Sequence, residues 1–171
     1  MSMNNHIVNR KRSTLSVDLI KQVVKMYPMN IRGAHGSSHW MRVRRNGLLL
    51  SQLNGADQEI VELFALFHDS QRVNENRDNG HGQRGAKLAY KLLKEGVYSL
   101  SLDKFDLLYM ACRDHTEGGN SPENITVGTC WDADRLDLWR VGIAPDINRL
   151  CNRDCIDEVF IDECIDRARM K

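Results

Sequence analysis

Apolar residues recur at three- and four-residue spacing through most of the chain, and the prolines Pro28, Pro122 and Pro145 fall where that spacing breaks. Residues three, four and seven apart share one face of an α-helix. Proline is tolerated at helix ends but breaks their interiors. No segment alternates apolar and polar residues as a half-buried strand would. The expected fold is all-α, a single compact domain of about seven or eight helices.

The breaks place the elements. Residues 1–13 read as a flexible basic N-terminal tail, and residues 14–171 as one helical domain. A first amphipathic helix is expected over 14–27, and a loop over 30–38 with Gly33 and Gly36. Ser37 or Ser38 is expected to cap a helix reaching Leu53, which Asn54-Gly55 stops. Asp57 caps the next, to about Ser70, and the polar stretch 71–80 reads as a loop. Further helices are expected over Gly82–Glu95, from Ser101 to Thr116, from Thr129 to Trp139, and after Pro145.

Charge and cysteine usage exclude several classes. The net charge is +1, which gives no global drive toward nucleic acid or anionic lipid. Residues 1–54 carry nine Lys or Arg against one acid, Asp18, and a solvated basic surface on two helices accounts for this. Little aromatic residue is interleaved with these charges, so nucleic acid is not expected as a partner. No apolar run approaches the roughly 20 residues of a membrane span, and Met1–Ser13 lack the apolar core of a signal peptide. Cys112 lies on an apolar helical face as a small hydrophobe would. Cys151 and Cys155 are one helical turn apart without a second ligand pair. Reduced thiols fit a cytoplasmic location best.

Against this background five polar residues stand on apolar stripes. His39 shares a helical face with Val43 and Leu50, and His68 shares one with Val61 and Phe64. Asp69 follows Ala65 by one turn, His115 shares a face with Leu108 and Cys112, and Asp132 with Leu136 and Trp139. A buried imidazole beside a buried carboxylate is costly unless a charge sits between them. One buried histidine is ordinary; several on separate helices, with carboxylates, suggest a shared cation. A mixed imidazole and carboxylate set suits Mn, Fe, Co, Ni or Zn, one or two ions, better than Ca or Mg.

The ordered set resembles the HD superfamily of metal-dependent phosphohydrolases over about residues 35–140. His39-Trp40-Met41-Arg42-Val43 is similar to that family's H-x-x-R-V segment. Phe64-Ala65-Leu66-Phe67-His68-Asp69 is similar to its apolar run into His-Asp, and Asp132-Ala133-Asp134-Arg135-Leu136-Asp137 to its late A-D-R-L segment. The resemblance implies an HD-type helical domain with metal ligands His39, His68, Asp69 and Asp132. Asp134 is the alternative last ligand, because it directly precedes Arg135-Leu136. Helical phase favours Asp132, with Leu136 one turn below it, but Asp134 would pair with Leu138, which is also apolar, so phase does not settle the matter. His81 and His115 fall where some branches carry two extra histidines for a second metal.

The reaction so implied is hydrolysis of a small phosphate ester or anhydride, a nucleotide first, by a phosphomonoesterase or phosphodiesterase. Asp69 would bind metal and orient or deprotonate water. Arg42, Arg72, Arg84 and Arg135 are the candidate phosphate contacts, with Arg72 foremost because it lies one turn beyond Asp69. His115 or Glu117 would protonate the leaving group. The alternatives are a metal-stabilised nucleotide-binding or regulatory domain without turnover, and a di-iron oxygenase on the same scaffold. The oligomeric state is left open, a homo-oligomer included.

Overall fold

The computed structural model describes residues 13–170, so the expected basic tail lies outside the described residues except for Ser13. All regular structure among them is helical. Helix α1 (Val17–Met26) starts at Ser16, whose Oγ accepts from Leu19 N, and buries Leu19 and Val23. Helix α2 (Ser37–Asn54) follows Gly36 without a side-chain cap. The expected serine cap is not made, because Ser37 Oγ turns back to donate to Ile31 O at 3.3 Å.

Helix α3 (Gln58–Phe67) is capped by Asp57, which accepts from Glu59 and Ile60 N. All of Ile60–Phe67 is buried, the property of a helix enclosed on every side. Helices α1, α2, α5 (Leu102–Asp114), α6 (Ile125–Arg135) and α4 (His81–Lys94) all pack against it. Burying each of Phe64, Phe67, Leu63 and Ile60 contributes about 1.5–3 kcal/mol. The helix ends at Phe67 rather than Ser70, and the chain turns through Asp69–Gln71.

Helix α6 begins at Ile125, a turn before the expected Thr129, because Asn124 Oδ1 caps Thr126 and Val127 N. It ends at Arg135, and Trp139 falls in a separate 3-10 turn, Leu138–Val141. Two more 3-10 turns, Ile147–Arg149 and Arg153–Cys155, lead to α7 (Glu158–Arg169). A second apolar cluster of Leu50, Leu136, Leu150, Ile156 and Cys164 seals this C-terminal segment onto α2 and the end of α6. Among the described residues no helix is long and apolar enough to cross a membrane.

The consequence for function is a convergence of helix ends. The C-terminal ends of α3, α5 and α6 meet the N-terminal ends of α2 and α4 beside one cleft.

Candidate metal centre

His68 and His115 are the C-cap residues of α3 and α5. The last carbonyls of a helix face outward at its end, and these two imidazoles reach back to carbonyls of the last turn. His68 Nδ1 lies 3.1 Å from Phe64 O and 3.2 Å from Ala65 O. His115 Nδ1 lies 2.8 Å from Cys112 O. His81, the first residue of α4, places Nδ1 2.6 Å from Asp78 O. His39, in the first turn of α2, places Nδ1 2.7 Å from Asp137 Oδ2. Carbonyl and carboxylate oxygens only accept, so Nδ1 carries the proton in all four rings and Nε2 presents a lone pair.

These lone pairs meet in two clusters. In the first, His39 Nε2 and His68 Nε2 are 3.0 Å apart, and Asp134 Oδ1 is 3.3 Å from His39 and 3.8 Å from His68. In the second, His81 Nε2 and His115 Nε2 are 2.9 Å apart. Close packing makes the second possible: a Cβ on Gly82 would fall 2.2 Å from Cys112 O, so only glycine brings α4 against the end of α5. Asp69 serves both clusters. Its Oδ2 is 3.5 Å from His39 Nε2, and its Oδ1 is 3.1 Å from His81 Nε2 and 3.7 Å from His115 Nε2.

The groups fit divalent cations. Two ligand atoms each about 2.0–2.2 Å from one ion lie about 3–4 Å apart, as the donors in each cluster do. Among the described residues, Asp69 Oδ1 and Asp134 Oδ1 are buried side-chain atoms without a hydrogen-bond partner. Buried carboxylate oxygens left so are costly unless a cation faces them. Imidazoles whose far nitrogens are held by carbonyls or carboxylate are the usual form of metal-binding histidine.

The protein groups alone already demand positive charge here. Burial and Arg140 push His39 down, but Asp134, Asp137 and Asp69 outweigh them and raise it to about 9. Burial holds His68 down at about 3. Asp69 is held well below the ordinary carboxylate range despite burial, by the surrounding imidazoles of His68, His115, His39 and His81. Asp134 is lowered as well, burial being outweighed by His39 and Arg140.

The structure brings together His39, His68, Asp69, His81 and His115, but not Asp132. Asp132 is fully buried, as its helical phase requires, yet it faces the C-terminal segment. Its carboxylate accepts from Cys151 N at 2.7 Å, Asn152 N at 2.8 Å and Asn152 Nδ2 at 2.9 Å. Asp134, two residues on, takes the place beside His39 and His68. Three of the four arginines turn out to be structural. Arg42 grips Asp137 through Nε at 2.6 Å and Nη2 at 3.1 Å, and Arg84 Nη2 bonds both oxygens of Asp78 at 2.7 Å. Arg135 donates to the carbonyls of Arg149 and Gly119. Arg72 remains at the site. Its Nη2 donates to Asn76 O at 2.6 Å, while Nη1 stands 3.5 Å from Asp69 Oδ1 and 3.3 Å from His81 Nε2.

Two contributors escaped the sequence reading. Asp137 ties Arg42 to His39 across 98 positions of sequence, and Arg140 lies 3.8 Å from Asp134 Oδ1. Asp137 follows directly after Ala133-Asp134-Arg135-Leu136 and Arg140 lies three residues further on, and that nearness was the available signal. The clusters open on a cleft of about 1230 Å³, lined also by Arg72, Arg77, Arg113, Arg140 and Arg149.

No family model matches the chain, and no curated protein matches it. A solved structure from an uncultured Thermotogales bacterium, described as a predicted HD superfamily hydrolase, matches with a TM-score of 0.58 at 24% identity. The match covers 86% of this chain and 82% of that one. The described residues thus have the HD-type all-helical fold, as the motif order suggested.

Proposed function

We propose that this chain is a metal-dependent phosphohydrolase acting on a small phosphate ester, a nucleotide first among candidates. The observation that carries the reading is Asp69, whose two oxygens face two clusters of imidazole Nε2 atoms. In the reading, His39, His68, Asp69 and Asp134 hold one divalent ion, and His81, His115 and Asp69 a second. When bound, such ions supply Lewis acidity toward a phosphoryl oxygen and toward the attacking water.

The protein's own residues do the rest. Asp137 and backbone carbonyls fix the four imidazole rings and their tautomers. Asp69, with one oxygen toward each cluster, would orient the attacking water. Arg72 and Arg140, one beside each cluster, face the charge that develops on the phosphoryl oxygens. Arg72 and Arg140 supply positive charge where the clusters open on the cleft, which is large enough for a nucleotide.

The test is phosphate release by the purified protein loaded with Mn, Co, Ni, Fe, Zn or Mg. Its substrates are mononucleotides, cyclic dinucleotides, sugar phosphates and p-nitrophenyl phosphate. Release that a chelator abolishes supports the reading. A nucleotide-dependent rise in Tm without release overturns it in favour of a sensor. Dioxygen consumption by the iron-loaded protein overturns it in favour of an oxygenase.

A further inference from the structure

His35 belongs to neither cluster, yet its buried ring lines the same cleft. It stands on the loop between α1 and α2, and its ring meets that of His39 edge-on, centroids 6.2 Å apart. Its Nδ1 pairs with Glu75, on the loop between α3 and α4. A carboxylate accepts, so Nδ1 donates and Nε2 keeps its lone pair. Among the described residues that Nε2 has no hydrogen-bond partner.

The loop is anchored from several sides. Trp40 Nε1 donates to His35 O at 2.8 Å, and Arg140 Nε donates to Ala34 O at 3.2 Å. A Cβ on Gly33 would stand 2.2 Å from Glu75 Oε1, so glycine leaves the room that the Glu75 carboxylate occupies. A rigid loop carrying one aimed acceptor is the usual form of a binding residue.

The chemistry of the ligand group follows by elimination. An acceptor needs a donor, and the oxygens of an ionised phosphate only accept. An ammonium group is disfavoured by Arg72 and Arg140, which face the same cleft. A neutral hydroxyl remains. The separation from His39 puts that hydroxyl within a few bonds of a phosphate held at the clusters. We propose that His35, positioned by Glu75, accepts a hydrogen bond from a substrate hydroxyl beside the scissile phosphate, and that the substrate is the phosphate ester of a polyhydroxy compound, a sugar or nucleoside. The assignment rests on the phosphohydrolase reading above.

The test compares esters that differ in one feature, glycerol 1-phosphate with n-propyl phosphate and ribose 5-phosphate with n-pentyl phosphate. The readout is the ratio of kcat/KM within each pair, using metal-loaded full-length protein. The wild type should prefer the hydroxylated member by about tenfold or more. In His35→Ala and Glu75→Ala the ratio should fall toward one, and Gly33→Ala, which displaces Glu75, should lower it as well. Glu75→Gln keeps an acceptor for Nδ1 and should restore part of the ratio, which a merely structural role would not do. The backbone bonds of this loop survive all these changes, and melting curves check folding. A wild type without preference, or a ratio unmoved in His35→Ala, overturns the assignment even if p-nitrophenyl phosphate is hydrolysed. No release from any ester by folded, metal-loaded protein overturns the phosphohydrolase reading itself.

Discussion

His39 Nε2 and His68 Nε2 face each other at 3.0 Å with both Nδ1 protons already committed elsewhere. Two lone pairs at that distance repel unless a proton or a metal ion stands between them. A proton taken up by His39 is the protein's own answer, and a divalent ion, with twice the charge, competes with it.

Metal content should therefore separate Asp134 from Asp132. Asp134→Ala and His68→Ala should lose the first ion in elemental analysis, and the rise in Tm on adding metal should shrink with it. Asp132→Asn should keep the ion, because its partners are Cys151, Asn152 and no histidine. It should instead lower stability by about 1–3 kcal/mol, the cost of impairing a buried charged acceptor. Metal loss in Asp132→Asn with full retention in Asp134→Ala would reverse the assignment.

The second cluster should empty by itself. His81→Ala and His115→Ala should each remove one ion and leave the other, whereas Asp69→Ala should weaken both. An anomalous map of the loaded protein reads this directly. Equal metal content in wild type and His115→Ala would leave that cluster without a second ion.

Arg72→Lys should reduce kcat/KM by about tenfold or more while preserving charge. A lysine cannot hold the carbonyl of Asn76 and point a second donor at the clusters together, as the guanidinium does. Steady-state kinetics with p-nitrophenyl phosphate measure the loss, and a change under twofold would remove Arg72 from the phosphate site.

Away from the site, Glu62 sets an acid limit on stability. Burial raises its pKa, but Thr14 N at 2.7 Å, Arg44 and Ser13 outweigh burial and hold it below the ordinary glutamate value. A carboxyl depressed in the folded state binds its proton more readily when unfolded. Its stabilisation is complete above the unfolded pKa of about 4.3 and is lost as pH falls through the lower folded value. The Tm gap between wild type and Glu62→Gln should be widest near neutral pH and narrow as pH falls below the unfolded value of about 4.3. A gap that stays constant from pH 7 to pH 3 would refute this.

Helical periodicity, three prolines and a His-Asp pair closing an apolar run were enough to read an all-α domain and most of the donor set. These signals are local: a period of 3.6 residues fixes which side chains face inward, and the phase of His39, His68 and His115 gave their burial correctly. Phase reports burial and not partner, which is why Asp132 and Asp134 could not be separated. Asp132 is buried and Asp134 half-buried with its Oδ1 inside; the packing of residues 150–152 against the end of α6 supplies backbone donors to Asp132 and leaves Asp134 bare toward His39. The pairings of His39 with Asp137, of His35 with Glu75 and of Arg42 with Asp137 join positions 40 to 98 residues apart. No periodicity carries such information. Only the convergence of five helix ends around α3 decides which lone pairs meet, and so where the positive charge belongs.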